Sequence, residues 1–228
     1  MEQGSFLSAG AGRSRRERLV TLDDFRSAFG RVAQLESDGL VPVARRRGDH
    51  DLNPGMPEPD KTRAAAVLVP IVGRDEGLTI LLTRRSDSLP VHKGQISFPG
   101  GRVEEDDVDD VETALRETEE EIGLGRDLVE VIGRLDTYTT RTGFEVTPVV
   151  GLVRPPFDLT PDPVEVAEIF EVPLDFVLDS DNHERHSREW QETTRHFWVL
   201  PYRHHYIWGA TAGMLVNLAD VMRGALLR

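Results

Sequence analysis

The chain has 228 residues, a length that suits one domain with a sizeable core, with two small domains as the alternative. Its formal net charge of −13 argues against nucleic-acid binding as the main role, because a phosphate backbone would be repelled. The sequence contains no cysteine, which excludes disulfides, thiolate catalysis and zinc sites with cysteine ligands.

The N-terminal part is predicted to be a disordered tail followed by one helix. Residues 1–18 are rich in Gly, Ser and Arg and lack the apolar segment of a signal peptide. Thr21 is a capping residue, and Leu22 and Phe25 begin an apolar pattern at helical spacing. The longest apolar stretch, residues 64–72, is too short to span a bilayer. We therefore expect a cytoplasmic protein without a membrane partner.

The rest of the chain is predicted to be mainly β-strand around two longer helices. Residues 45–61 are polar and rich in Pro and Gly, so a linker or surface loop is expected there. Pro173 is expected to start a short helix, and residues 209–227 have the pattern of a closing amphipathic helix. The predicted strands, of which the first two form a hairpin, are residues 64–73, 78–83, 128–138, 145–153, 169–172 and 195–202. This order predicts an α+β fold, an α/β/α sandwich with a mixed sheet. Sheet edges and the last helix would allow a homodimer.

An acidic helix is predicted at about residues 110–122, downstream of a Gly-rich loop at residues 98–101. At 100° per residue, one arc is apolar, and Glu117, Glu120 and Glu121 occupy the adjoining arc. Like charges at this spacing repel one another, and a hard divalent cation such as Mg²⁺ would relieve the repulsion. A solvated acidic helix is the alternative, but the preceding loop and the Gly123 stop favour a metal site.

The segment that ends in this helix resembles the signature of Nudix hydrolases, G-x5-E-x7-R-E-U-x-E-E-x-G-U, where U is aliphatic. Residues 116–124 match its second half, with Thr118 at an aliphatic position. The first half departs, because Asp107 replaces Glu and one extra residue precedes Arg116. The resemblance implies a Nudix-type sandwich in a single domain, residues 19–228, with an N-terminal helical extension.

The same resemblance implies a divalent ion, Mg²⁺ or Mn²⁺, and roles for several side chains. Glu117 and Glu121 would be the principal ligands, Glu120 an additional or water-mediated ligand, and Arg116 an orienting partner. A carboxylate should act as the general base. Glu120 is the first choice for that role, and Glu165 and Glu168 are the alternatives.

Upstream of the helix lies a stretch that resembles the additional signature of coenzyme A diphosphatases. It comprises Leu-Leu-Thr-Arg-Arg-Ser at residues 81–86 and Gly-x-x-x-Phe-Pro-Gly-Gly, which can be aligned to end at Gly101. Pro90 departs from it, because many members have arginine there. The implied substrate is coenzyme A or an acyl-CoA. The expected substrate-binding residues are Arg84, Arg85, Lys93, Gly100, Gly101 and Arg102, with Arg141 as a further candidate.

Three alternatives remain open from the sequence. The same metal site would also suit ADP-ribose or dinucleoside polyphosphate hydrolysis, and a catalytically silent binding module is a third possibility. Five histidines crowd residues 183–205, but they lack the spacing of the zinc-protease motif. We therefore expect them to be surface or core residues rather than metal ligands.

Overall fold

A computed structural model describes residues 20–38, 45–190 and 193–226. The predicted disordered tail, residues 1–18, lies outside the described residues. The helices are α1 Leu22–Ser37, α2 Asp110–Ile122, α3 Leu174–Leu178 and α4 Ala210–Leu226. The strands are β1 Arg46–Gly48, β2 Arg63–Arg74, β3 Gly77–Arg85, β4 Ile96–Ser97, β5 Gly100–Arg102, β6 Val129–Arg134, β7 Thr137–Thr139, β8 Phe144–Val153, β9 Val166–Pro173, β10 Glu184–Trp190, β11 Thr193–Tyr202 and β12 His205–Trp208.

The first nine strands form one mixed sheet in the described part of the chain. Its path is β1-β7-β8-β2-β3-β4, while β5 pairs with β2, β6 with β8 and β9 with β3. The central pair β2–β8 is parallel, from Arg63 opposite Phe144 to Val72 opposite Val153. The pair β1–β7 is also parallel, and the remaining pairs are antiparallel. Strands β10, β11 and β12 form a separate antiparallel sheet.

Helices cover both faces of the mixed sheet, and the central strand β2 is accordingly apolar along almost its whole length. Leu68 and Val72 pack with α2 on one face, whereas Val69 and Ile71 pack with α1 and α4 on the other. Alternation of side chains along a strand accounts for this division. The predicted α/β/α sandwich with a mixed β-sheet is confirmed. In the described residues, no helix has the length and apolar character needed to cross a membrane.

Helix α2 has the predicted bounds because its ends are determined locally. The Asp109 carboxylate accepts a hydrogen bond from the Glu112 backbone N–H and caps the first turn. Gly123 ends the helix in the left-handed conformation, with φ 69°, and its N–H donates to the Glu119 carbonyl. The carboxylates of this helix are therefore presented from a rigid element.

Three sequence predictions are wrong, and three further strands were not predicted. Residues 45–61 were expected to be a linker or loop, but they contain β1 and a 3₁₀ turn, Asp49–Leu52. Arg47 makes this segment part of the fold, because its guanidinium contacts Asp136 at 2.9 Å and Asp220 at 3.0 Å. The single strand expected at 128–138 is instead β6 and β7, each paired with β8. The loop expected at residues 98–101 instead runs into β5, whose glycines pair with β2. The unpredicted strands β4, β10 and β12 are short or highly charged.

Candidate active site

Five carboxylates line a cavity of about 340 Å³ at the end of α2. They are Glu117, Glu120, Glu121, Asp162 and Glu165. The first three come from α2, and the other two come from the loop before β9. The Asp162 backbone N–H donates to the Glu121 carbonyl oxygen at 2.9 Å, which fastens this loop to the end of the helix. The cavity therefore has acidic walls from two parts of the chain.

Glu121 is the most buried of these carboxylates, with only 5% of its surface exposed. The Gly100 backbone N–H donates to its Oε2 at 3.3 Å, and Arg85 Nη1 lies 3.8 Å from its Oε1. Burial nevertheless raises the pKa of Glu121 to about 8, and the charges of Glu165 and Glu117 act in the same direction. The two neighbouring donors therefore do not offset the cost of burying the charged form of Glu121.

Glu117 is half-buried between its own helix and the strand β5. Arg116 Nη1 donates to Glu117 Oε1 at 3.1 Å. Burial raises the pKa of Glu117, and the charges of Glu120 and Glu165 add to the effect. A methyl group at Gly101 would lie only 2.5 Å from the Glu117 carboxyl carbon. Glycine at this position therefore allows the strand to approach the carboxylate.

Arg116 joins the helix to the loop that precedes it. Its Nε and Nη2 donate to the two oxygens of Asp107, each at 2.9 Å, in a bidentate pair. Asp107 also accepts from the Thr113 hydroxyl at 2.8 Å and the Glu104 N–H at 2.9 Å. The Arg116 guanidinium holds the pKa of Asp107 well below its usual range. The residue at which the sequence departs from the Nudix signature is thus a fully engaged carboxylate, whose side chain is only 3% exposed.

Among the predicted substrate-binding residues, Arg85, Gly100 and Gly101 lie against the carboxylates. The Nε atom of Arg85 is buried and has no hydrogen-bond partner in the described residues. An unpaired buried donor is costly, so an anionic ligand would stabilise this arrangement. The structure brings these three residues and the acidic helix to one place.

The other predicted cations do not contact the carboxylates through their side chains. Arg84 points to the opposite face of the sheet, where its Nε donates to Glu168 at 3.3 Å. The guanidinium of Arg102 lies over the Phe144 ring, with its central carbon 5.5 Å from the ring centroid. Lys93 is exposed in the loop before β4. Arg85 therefore lies beside the cavity carboxylates, whereas the side chains of Arg84, Arg102 and Lys93 lie away from them.

The sequence reasoning missed Asp162, and it placed Glu165 ahead of Glu168, which it expected to face solvent on a strand edge. Asp162 lies in a proline-rich loop without a motif, so no local pattern marks it. Glu165 lines the cavity, whereas Glu168 pairs with Arg84 and with His205. Sequence separations of about 40 residues from α2 explain why only the fold reveals these neighbours.

The donor set suits a hard divalent ion, because every candidate ligand is a carboxylate oxygen. In the described residues, no three carboxylates of the cavity bring ligand atoms within 4.8 Å of one another. Mutual repulsion favours this spacing, and Mg²⁺ commonly uses a few carboxylates together with water and substrate phosphate. The buried Glu121 and the half-buried Glu117 therefore fit such an ion.

Comparisons with known proteins agree with this geometry. The family model described as "NUDIX domain" matches residues 61–199. "Nudix hydrolase 15, mitochondrial" of Arabidopsis thaliana is 40% identical over 195 residues, which cover 82% of this chain and 68% of that protein. "Uncharacterized Nudix hydrolase NudL" of Photorhabdus laumondii is 43% identical over 204 residues, covering 89% of this chain and 98% of that protein. The protein of the same name from Klebsiella pneumoniae is 39% identical, with coverage of 89% and 95%. The chain therefore belongs to the NUDIX family of hydrolases.

Proposed function

We propose that the protein hydrolyses the diphosphate bond of coenzyme A or an acyl-CoA. The products would be 3′,5′-ADP and 4′-phosphopantetheine, or its acylated form. Membership of the NUDIX family supports a diphosphate as the bond that is cut. The choice of coenzyme A depends on one observation. The stretch that resembles the coenzyme A signature, residues 81–101, ends at Gly100 and Gly101, which lie against Glu121 and Glu117.

Substrate binding to an acidic cavity needs cationic and N–H donors beside the carboxylates. Arg85 meets this need best, because it lies beside Glu121 and has a buried, unpartnered Nε. We propose that Arg85 binds the diphosphate, and that Lys93 and Arg102 contact the remaining phosphate of the substrate. Arg84 is left out of this proposal, because its guanidinium pairs with Glu168 on the other face of the sheet.

Glu117 and Glu121 would hold Mg²⁺ or Mn²⁺, with Glu120 as a further ligand, direct or through water. When bound, the ion neutralises charge on the diphosphate and activates or positions a water molecule. Burial raises the pKa of both Glu117 and Glu121, so their charged forms are unfavourable when no cation is bound. Arg116 orients Glu117 and, through Asp107, fixes the loop that leads into the helix.

The general base is proposed to be Glu165. Glu120 was the first choice from the sequence, but its side chain is 61% exposed and contacts Arg116 Nη1 at 3.3 Å. Glu120 is therefore exposed to solvent and paired with a cation rather than directed at a water molecule in the cavity. Glu165 lines the same cavity from the opposite wall, on a loop fastened to the helix end. From there it would take the proton of the attacking water.

A substrate panel with product identification tests the proposal. The purified protein would be incubated with Mg²⁺ or Mn²⁺ and coenzyme A, acetyl-CoA, ADP-ribose, NADH or diadenosine polyphosphates, with EDTA controls. We expect EDTA-sensitive release of 3′,5′-ADP from the coenzyme A substrates, well above the turnover of the others. Preference for another diphosphate would retain the metal site and reject coenzyme A. Binding without turnover would favour a silent binding module.

A further inference from the structure

A second cluster of ligand-type side chains lies on the opposite face of the mixed sheet. Arg85 faces α2, where it approaches Glu121. Its neighbour Arg84 faces the other way and donates to Glu168 Oε2 at 3.3 Å. His205 and His204 approach Glu168 on this second face. The sheet therefore separates this cluster from the cavity proposed for the diphosphate.

The two histidines converge on one oxygen of Glu168. His205 Nε2 lies 3.1 Å from Glu168 Oε1, and His204 Nε2 lies 4.0 Å from the same atom. All three residues offer ligand atoms within 4.8 Å of one another. Bonds of about 2.0–2.2 Å at tetrahedral angles place ligand atoms roughly 3.4 Å apart. The two His–Glu distances bracket this value, so a small movement of His204 toward Glu168 would bring its nitrogen into range of a shared ion.

The surroundings hold two of the three residues in place. The His205 ring stacks on Phe170 with a centroid distance of 3.7 Å and an interplanar angle of 2°, and its side chain is only 6% exposed. Arg84 occupies the other oxygen of Glu168, and a ligating carboxylate is normally hydrogen-bonded in this way. His205 Nδ1 is buried without a partner in the described residues. Metal binding at Nε2 would replace the hydrogen bond to Glu168 and place the proton of the neutral ring on Nδ1.

The turn between β11 and β12 places His204 beside His205. Arg203 has a positive φ of 55°, unusual for a residue with a side chain, and the next two residues are the histidines. The rings of His204 and His205 consequently lie with centroids 4.0 Å apart. His204 is 76% exposed, so a fourth coordination position would be open to solvent.

We propose that Glu168, His204 and His205 form a metal site that takes one Zn²⁺ or a similar borderline divalent ion. Two imidazoles and one carboxylate are the ligands that such ions prefer, whereas Mg²⁺ prefers oxygen alone. The bound ion ties the β11–β12 turn to β9, and water fills the open position. This site is independent of the proposed hydrolysis, because none of its residues lines the carboxylate cavity.

Titration with Co²⁺ and Zn²⁺ in the presence of excess Mg²⁺ tests the site, because Mg²⁺ fills the all-oxygen position. We expect the full chain to bind one Co²⁺ with the visible absorption of a tetrahedral nitrogen–oxygen site, and Zn²⁺ to displace it. The exposed His204 can be replaced without loss of a core contact, so His204→Ala should fold and bind Co²⁺ at least about 10-fold more weakly. Two matched controls should leave binding unchanged. His186→Ala removes a histidine from another His–Glu pair, and Glu121→Gln removes a carboxylate of the other cavity.

Several results would overturn the proposal. One is the absence of Co²⁺ binding by the wild-type chain in excess Mg²⁺. Another is an octahedral spectrum, which would indicate an oxygen site. Unchanged affinity in His204→Ala, or loss of the signal in Glu121→Gln, would place the ion elsewhere. Thermal unfolding of each variant without metal would show that its fold is intact.

Discussion

Replacement of Glu121 by Gln should stabilise the metal-free protein and at the same time abolish its activity. The carboxylate is buried, and its pKa is raised to about 8 from an ordinary value of 4.5. Between these two values the folded state keeps a proton that the unfolded state releases. Stability of the metal-free protein therefore falls as the pH rises through this window. Glutamine keeps the shape of the side chain and an oxygen that can accept the Gly100 N–H, but it carries no charge.

The size of the effect follows from this window. Each pH unit costs about 1.4 kcal/mol, so at pH 7 the buried carboxylate destabilises the metal-free fold by about 3 kcal/mol as an upper bound. For a chain of this size, such a difference raises the melting temperature by about 6–12 °C. The gain should vanish near pH 4.5. With metal and substrate present, loss of a strong electrostatic stabiliser should reduce turnover by about 10³-fold or more.

The assay is thermal unfolding with EDTA from pH 4.5 to 8, followed by turnover with Mg²⁺. Glu119→Gln is the matched control, because it makes the same charge change on the same helix at an exposed carboxylate that contacts Arg126 at 3.3 Å. We expect neither effect in that variant. Equal melting curves for the Glu121 and Glu119 variants, or near-normal turnover after Glu121→Gln, would refute the assigned burial and role of Glu121.

Three further predictions concern other residues of the candidate site. Gly101→Ala should weaken Mg²⁺ affinity at least about 10-fold, because the new methyl group displaces the Glu117 carboxylate. Gly30→Ala is the control, since its methyl group meets no atom within 4 Å and should leave the affinity unchanged. Calorimetric titration with Mg²⁺ compares the two variants. The pKa of Asp107 is depressed in the fold, so its stabilisation is present above the unfolded pKa of about 3.9 and is lost on acidification. Asp107→Asn should therefore lower the melting temperature at pH 7 and flatten its fall below pH 4; an unchanged slope would contradict this. Glu165→Gln should lower kcat by about 10²-fold or more, with Mg²⁺ affinity retained; loss of affinity instead would make Glu165 a ligand.

Structural features that depend on neighbouring residues in the sequence were predicted, whereas those that depend on contacts between distant residues were not. Helix α2 was predicted to its bounds because Asp109 and Gly123 cap it within one turn at each end. Strand β10 was missed because its residues are mostly charged and exposed, and its extended form depends on pairing with β11. Arg47 was read as part of a solvated loop, since its partners Asp136 and Asp220 are far away in the sequence.

The candidate site shows the same division. The carboxylates of α2 follow from helical periodicity, and the sequence identified them. Arg84 and Arg85 were treated alike as substrate cations, although side chains of adjacent strand residues point to opposite faces. The structure separates them accordingly, with Arg85 beside Glu121 and Arg84 beside Glu168. Asp162 had no local signal, because only the fold brings it to the cavity.

An internal competition tests the proposed activity most directly. Coenzyme A, ADP-ribose and a diadenosine polyphosphate at equal concentrations would share one tube with the protein and Mg²⁺, and mass spectrometry would follow the loss of each. Coenzyme A should disappear first, with 3′,5′-ADP and 4′-phosphopantetheine formed in equal amounts, and EDTA should stop the reaction. Consumption of ADP-ribose or the diadenosine compound ahead of coenzyme A would contradict the proposed substrate.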